Sequence, residues 1–311
     1  MKFNYPLAKT SWDEKEINAM HKVIDSGMFT MGENVAEFER KFANYIGSNY
    51  CVMVNSGSSA NLLMIAALFY REKNPLCQGD EVIVPAISWG TTYFPLHQYG
   101  LKLRFVDVDL ETLNYDLDKL EESITPKTRL IMVVNLLGNS NDFSKINKIT
   151  RDHNIDIVED NCESMGASFK DKKAGTFGVM GSFSCFFSHH ISTMEGGNIV
   201  TDDEELYHIL LSLRAHGWTR NLPKVNKVCS EKSKDPFKET FRFILPGYNV
   251  RPLELEGAIG IQQLKKLPGF IAQRQKNGAN FKKVMENHPD LIIQKEIGKS
   301  SWFGFSLIIK H

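Results

Sequence analysis

No apolar run in this sequence approaches the roughly 20 residues a membrane-spanning helix needs; the longest, Leu62 to Tyr70, is about half that. No membrane span is expected. An excess of one charge is missing too, since 37 Lys and Arg balance 37 Asp and Glu. Without a global field there is nothing to hold a nucleic acid or an anionic membrane, so an acidic ligand must be held by a local site. The five cysteines (Cys51, Cys77, Cys162, Cys185 and Cys229) form no C-x-x-C or C-x-C pair. That predicts reduced, mostly buried thiols and no metal centre. Met1 to Asn18 carries Pro6, Asp13, Glu14 and Glu16 and lacks the apolar core of a signal peptide, which predicts a cytoplasmic protein.

With repeats and low-complexity tracts also absent, the signal lies in short apolar runs that alternate with amphipathic stretches. Helices are predicted near Ser11 to Ser26 and Glu33 to Ile46, then a strand at Tyr50 to Val54 and a helix at Ala60 to Tyr70. Further β-branched runs lie at Glu81 to Val84, Leu103 to Val106, Leu130 to Val134, Ile155 to Val158 and Ser182 to Phe187, with helical material such as Asp116 to Glu122 and Ser144 to His153 between them. This rhythm predicts an α/β fold, a mainly parallel sheet flanked by helices on both faces. Residues 217–240 are polar and lysine-rich and read as an irregular surface excursion, and Leu253 to Leu264 has helical spacing. The chain divides into a large ligand-binding domain over 1–250 and the start of a small α+β domain over 251–311. The run Phe303 to Ile309 reads as an edge strand without a partner, so strands beyond His311 are expected.

Parallel sheets place ligands beyond the carboxyl ends of their strands, so the residues that follow each run carry the chemistry. Ser56-Gly57-Ser58-Ser59 joins a strand to a helix, where N–H groups and hydroxyls suit a phosphate, although a plain serine N-cap reads the same way. Trp89, after the run ending at Val84, suits stacking on a planar ring or simple core packing. Glu159 and Asp160 end a buried strand, where an acid needs a cationic or hydrogen-bonding partner: a structural salt bridge, or the protonated nitrogen of a pyridine cofactor. Ser182 to Gly197 reads as a strand ending in Ser-His-His, a functional turn, and Glu-Gly-Gly before a return strand at Asn198 to Thr201.

Taken in order, these motifs resemble the fold type I, pyridoxal-phosphate-dependent sugar aminotransferases, the DegT/DnrJ/EryC1/StrS family. So do Gly247-Tyr248-Asn249-Val250-Arg251-Pro252-Leu253-Glu254 and Gly260-Ile261-Gln262-Gln263-Leu264, and the likeness runs from the start to about Leu267. In that family a lysine stands six residues before the Glu of Glu-Gly-Gly and forms a Schiff base with the cofactor. Here that position is His189, and Lys170, Lys172 and Lys173 lie in a preceding turn that cannot substitute. Histidine in this place resembles the 3-dehydratase branch. A second branch with an iron–sulfur cluster needs a C-x-C motif, which is missing.

The resemblance implies pyridoxal 5'-phosphate or pyridoxamine 5'-phosphate held noncovalently, L-glutamate as amino donor and a GDP-4-keto-6-deoxyhexose as substrate, as in colitose biosynthesis. It implies a homodimer with a shared active site. Residue by residue, Asp160 pairs with the ring nitrogen and Trp89 stacks on the ring. Gly57, Ser58 and Ser184 hold the phosphate, with Asn249 from the partner subunit. Glu163 stands near the ring hydroxyl where aminotransferases have Gln, and Arg251 takes a glutamate carboxylate. His216 and Arg220, in His-Gly-Trp-Thr-Arg, are candidates for the co-substrate and sugar nucleotide, with a purely structural role as the alternative. His189 is the acid–base, a task suited to imidazole near neutral pH. In an extended segment His189 and His190 would point to opposite sides. Two rival readings remain: an aminotransferase with an unusual base, and an inactive homologue acting as a binding protein.

Overall fold

The structure is a computed structural model that describes residues 9–151 and 153–310. The expectations drawn from residues 1–8, and any resting on His311, lie outside the described residues. Helices α1 (Glu14–Ser26) and α2 (Glu33–Ile46) precede strand β1 (Tyr50–Val54) and helix α3 (Gly57–Tyr70). Then follow β2 (Glu81–Pro85), α4 (Gly90–Gln98), β3 (Lys102–Val106), α5 (Leu117–Glu122), β4 (Thr128–Val134), α6 (Phe143–Arg151) and β5 (Asp156–Asp160). A small hairpin of β6 (Ser168–Phe169) and β7 (Lys172–Lys173) leads to β8 (Met180–Ser184), β9 (Gly197–Thr201) and α7 (Glu204–Leu213). The polar excursion contains a second hairpin, β10 (Val225–Asn226) with β11 (Ser230–Glu231), and the short α8 (Pro236–Thr240); the chain continues through α9 (Glu254–Met285), β12 (Leu291–Ile293) and β13 (Leu307–Ile309).

Seven strands form one sheet in the order β1-β9-β8-β5-β4-β2-β3. Only β9 runs antiparallel to its neighbours, Ser184 facing Gly197 on one side and Val54 facing Gly197 on the other. Side chains alternate between two buried faces. Val52, Val54 and Val158 join one apolar cluster with α3 and α7, Met53 and Phe183 join another with α2 and α9, and Ile131 and Ile157 join a third with α6. Burial on both faces explains why these strands read as unbroken apolar runs.

The helical spacing at Leu253 to Leu264 is borne out, and the helix extends much further, through Pro268 to Met285; two other expectations need correction. Proline lacks the N–H of a helix interior, yet Leu264, Leu267, Ile271 and Gly278 are buried along this helix, and that packing carries it across. Gly257 lets α9 approach α2, since a Cβ there would lie 2.6 Å from the Val35 nitrogen. The terminal strand has a partner after all: Leu307–Ile309 pairs antiparallel with Leu291–Ile293. The cysteines are all free, but only Cys51 and Cys185 are buried; Cys162 and Cys229 are half-buried and Cys77 is exposed.

Candidate active site

The carboxyl ends of β1, β2, β5 and β8 converge, and the site grows from Asp160 at the end of β5. This residue is 5% exposed, and no basic side chain among the described residues pairs with it. Neutral donors hold it instead: Asn61 Nδ2 and Thr92 Oγ1 each donate to Oδ2 at 2.8 Å, and the Cys162 N–H donates to Oδ1 at 3.1 Å. Asn61 in turn accepts from Ser182 Oγ at 2.6 Å, and Thr92 lies 2.7 Å from Ser88 Oγ. A buried carboxylate so fixed, yet without a cation, is a receptor for one. Glu159 belongs to the scaffold, because it accepts from the N–H groups of Gly175, Phe177 and Gly178 and from Asn135.

Gly57 opens α3 where the strand ends meet. A Cβ there would lie 2.6 Å from Ser184 Cβ and 2.9 Å from Cys162 Sγ, so only glycine allows this approach. Ser56 is indeed the N-cap, its hydroxyl accepting from the Ser59 N–H at 3.1 Å. The cap does not exhaust the turn, since the positive end of the helix dipole falls at Gly57 and Ser58 beside the buried Ser184 hydroxyl. Ser58 is exposed and donates to Thr91 Oγ1 at 3.0 Å. Trp89 precedes α4 and is 75% exposed, which removes the core-packing alternative and leaves a free aromatic plane at the sheet edge.

Glu163 follows in the same loop. Its Oε2 accepts the Leu137 N–H at 2.9 Å, and burial, with Asp160 adding, raises its carboxyl above the usual range.

The histidine turn departs from expectation. It is not extended, and both rings pack on Phe303, with centroid distances of 5.1 Å for His189 and 5.7 Å for His190. Burial rather than side-chain alternation distinguishes them. His190 is buried, its Nε2 lies 3.3 Å from the Ser301 carbonyl, and burial pushes it down to about 3. His189 is half-buried, and burial pushes it down to about 4, with Asp160 opposing and Arg274 adding. Its Nδ1 is buried without a hydrogen-bond partner among the described residues. At neutral pH this is a free base, and the Asp160 carboxylate, held by neutral donors, acts on it.

The remaining candidates form a second group. Asn249 pairs with Ala215, the His216 N–H donates to Tyr248 O, and Arg251 Nε donates to Asn249 Oδ1 at 3.0 Å. Arg220 lies 5.5 Å over the Trp218 ring, which meets the His216 ring at 6.0 Å. No hydrogen bond or ion pair among the described residues joins this group to Asp160, Ser184 or His189. The sequence reading missed Asn61, Thr92, Phe303 and Arg274. Asn61 alone left a trace, as an amide inside the otherwise apolar start of α3.

A helix N-terminus with hydroxyls, an acid held only by neutral donors, an exposed aromatic plane and a neutral imidazole fit a phosphorylated pyridine ring. The chain belongs to the DegT/DnrJ/EryC1/StrS aminotransferase family, which matches residues 10–311. Over 308 residues it is 65% identical to GDP-4-keto-6-deoxy-D-mannose 3-dehydratase of Yersinia pseudotuberculosis, covering 99% of this chain and 78% of that one. A solved structure of GDP-4-keto-6-deoxymannose-3-dehydratase with a trapped PLP-glutamate geminal diamine matches with a TM-score of 0.98 at 62% identity, covering 99% of this chain and 80% of that one. Another, a His-to-Asn variant with bound GDP-perosamine, matches with a TM-score of 0.97 at 62% identity and the same coverage.

Proposed function

We propose that this chain is a pyridoxal-phosphate- and glutamate-dependent 3-dehydratase that removes the C3 hydroxyl of GDP-4-keto-6-deoxy-D-mannose, a step toward colitose, an O-antigen sugar. The observation that carries the reading is the neutral imidazole of His189, its Nδ1 unpartnered among the described residues, standing where the family has its Schiff-base lysine. The two relatives solved with a glutamate adduct of the cofactor and with a GDP-sugar support the cofactor and substrate classes.

When bound, pyridoxal phosphate supplies an aldehyde that takes the amino group of glutamate and a protonated ring that draws off electrons. Asp160 holds the ring nitrogen protonated, its Oδ2 fixed by Asn61 and Thr92. Trp89 covers one face of the ring. Gly57, Ser58 and Ser184 bind the phosphate together with Asn249 of the partner subunit, so the reading includes a homodimer. Glu163 sits near the ring hydroxyl, and Arg251 takes a glutamate carboxylate through its planar fork. His216 and Arg220 face the co-substrate and the sugar nucleotide.

His189 removes a proton from the cofactor's C4′ carbon and, now an imidazolium, gives it to the departing C3 hydroxyl. The C3 hydroxyl departs as water; an imidazole cannot bond to the cofactor aldehyde as lysine does, and the amino group left on the sugar as an enamine is hydrolysed by water, giving ammonia and a 3-deoxy-4-keto product. The five free cysteines fit a reducing compartment, and a cytoplasmic location is part of the reading. The test is to incubate the protein with pyridoxal phosphate, glutamate and GDP-4-keto-6-deoxy-D-mannose. Ammonia and 2-oxoglutarate should form in equal amounts; an aminated sugar without ammonia would refute the reading.

A further inference from the structure

We propose that the segment 300–303 is a positioning strap for His189: Phe303 packs on the imidazole and keeps water from it, and Arg274 holds the strap in place. The proposal rests on the reading of His189 as the proton carrier and gives the distant end of the chain a role in it.

Three elements pin the strap. From α9, Arg274 Nη1 donates to the Trp302 carbonyl at 3.0 Å and the Phe303 carbonyl at 3.3 Å, and Gln275 donates to the Ser300 carbonyl at 3.1 Å. From the turn after β4, the Ser301 N–H donates to Gly138 O and the Phe303 N–H to Leu137 O, both at 3.0 Å. From the histidine turn, His190 Nε2 meets Ser301 O at 3.3 Å. Trp302 is held at a φ of 49°, a left-handed conformation that a bulky residue adopts only when its surroundings impose it. Those surroundings include α9, where a Cβ on Gly278 would lie 2.4 Å from the Trp302 ring.

So fixed, Phe303 meets the His189 ring at a 58° tilt, and Phe186 meets it edge-on from the other end of the turn. The charged groups that act on His189 are Asp160 of β5, which favours the imidazolium, and Arg274 of α9, which disfavours it; burial outweighs both. Leu137 ties the strap to the rest of the site, because its carbonyl accepts from Phe303 while its N–H serves Glu163. Half-buried and wedged between Phe303 and Phe186, the imidazole exchanges its proton with water less readily and keeps it for the departing hydroxyl.

The test uses the full chain without cofactor, with carbon-13-labelled histidine, followed by NMR against pH. The His189 resonance is the one lost in His189→Asn. In the wild type it should titrate near 4; a midpoint near the ordinary 6.5 overturns the proposal without any variant having to fold. Phe303→Ala should raise the midpoint by about one unit or more as water enters, and the acid limb of kcat should move with it. Phe303→Leu, which keeps an apolar cover, should move it far less. An unmoved midpoint in Phe303→Ala, or an equal shift in both variants, overturns the strap. These outcomes separate from the parent reading: if His189→Asn still releases ammonia, the catalytic role falls, whatever the NMR titration shows.

Discussion

Replacing Asp160 by asparagine puts one NH2 group into a pocket built entirely of donors. Asn61 and Thr92 both donate to Oδ2, and the Cys162 N–H donates to Oδ1. The amide will turn its oxygen to the first two and set its NH2 against Cys162, leaving one buried donor without a partner at a cost of about 1–3 kcal/mol. Against this stands relief of the penalty for burying a carboxylate with no basic partner, which is several kcal/mol per ion. Relief wins, so the cofactor-free variant should melt no lower than the wild type. With cofactor the sign reverses. A charge pair about 4 Å apart at an effective dielectric of about 20 is worth roughly 4 kcal/mol, or about three powers of ten, and the variant forfeits it. Turnover should fall by about that factor, and the rise in melting temperature on adding pyridoxal phosphate should shrink. Melting curves with and without cofactor, beside a turnover assay, read both signs. Near-normal turnover with bound cofactor would show that Asp160 is only structural.

Arg251→Lys should raise the glutamate KM by about tenfold or more while leaving the sugar KM nearly unchanged, because a lysine cannot make the planar two-point contact; equal rises would reassign Arg251. Borohydride should attach no pyridoxyl group to any lysine of the resting enzyme, and mass spectrometry finding one would place a Schiff base in the site after all. Burial raises Glu256 to about 7, with Glu195 adding, so the folded chain keeps a proton there that the unfolded chain loses from about pH 4.5 upward. That contribution to stability is full below pH 4.5 and is lost as pH rises to 7. Glu256→Gln should therefore raise the melting temperature at pH 8 but not at pH 4.5; an equal change at both would mean that the carboxyl titrates normally.

Local signals made much of this fold legible. Helix α2 lies where its apolar stripe put it, bracketed by Gly32 and by Gly47 at a φ of 90°, and β1 begins and ends as its apolar run does. Asp160 and Gly57 drew attention because a parallel sheet directs it to the strand ends, whereas Ser184 was named only through the family resemblance. What stayed hidden depends on contacts between distant residues. Pro268 stops a helix in isolation and fails to stop one packed along its length. His189 and His190 were expected to diverge, yet a turn and Phe303, more than a hundred residues on, bring both rings to one aromatic. Asn61 reads as an oddity in an apolar helix until the fold sets Asp160 and Ser182 against it.

The claim that a histidine has replaced the lysine as proton carrier rests on one residue, and ammonia release by His189→Asn beside His190→Asn tests it most directly. The account predicts that His189→Asn binds pyridoxal phosphate through Asp160 and the phosphate turn but releases no ammonia, while His190→Asn, changed at a buried ring held to Ser301, loses far less. Normal ammonia release by His189→Asn, or a dead His190→Asn that still folds and binds cofactor, would contradict it.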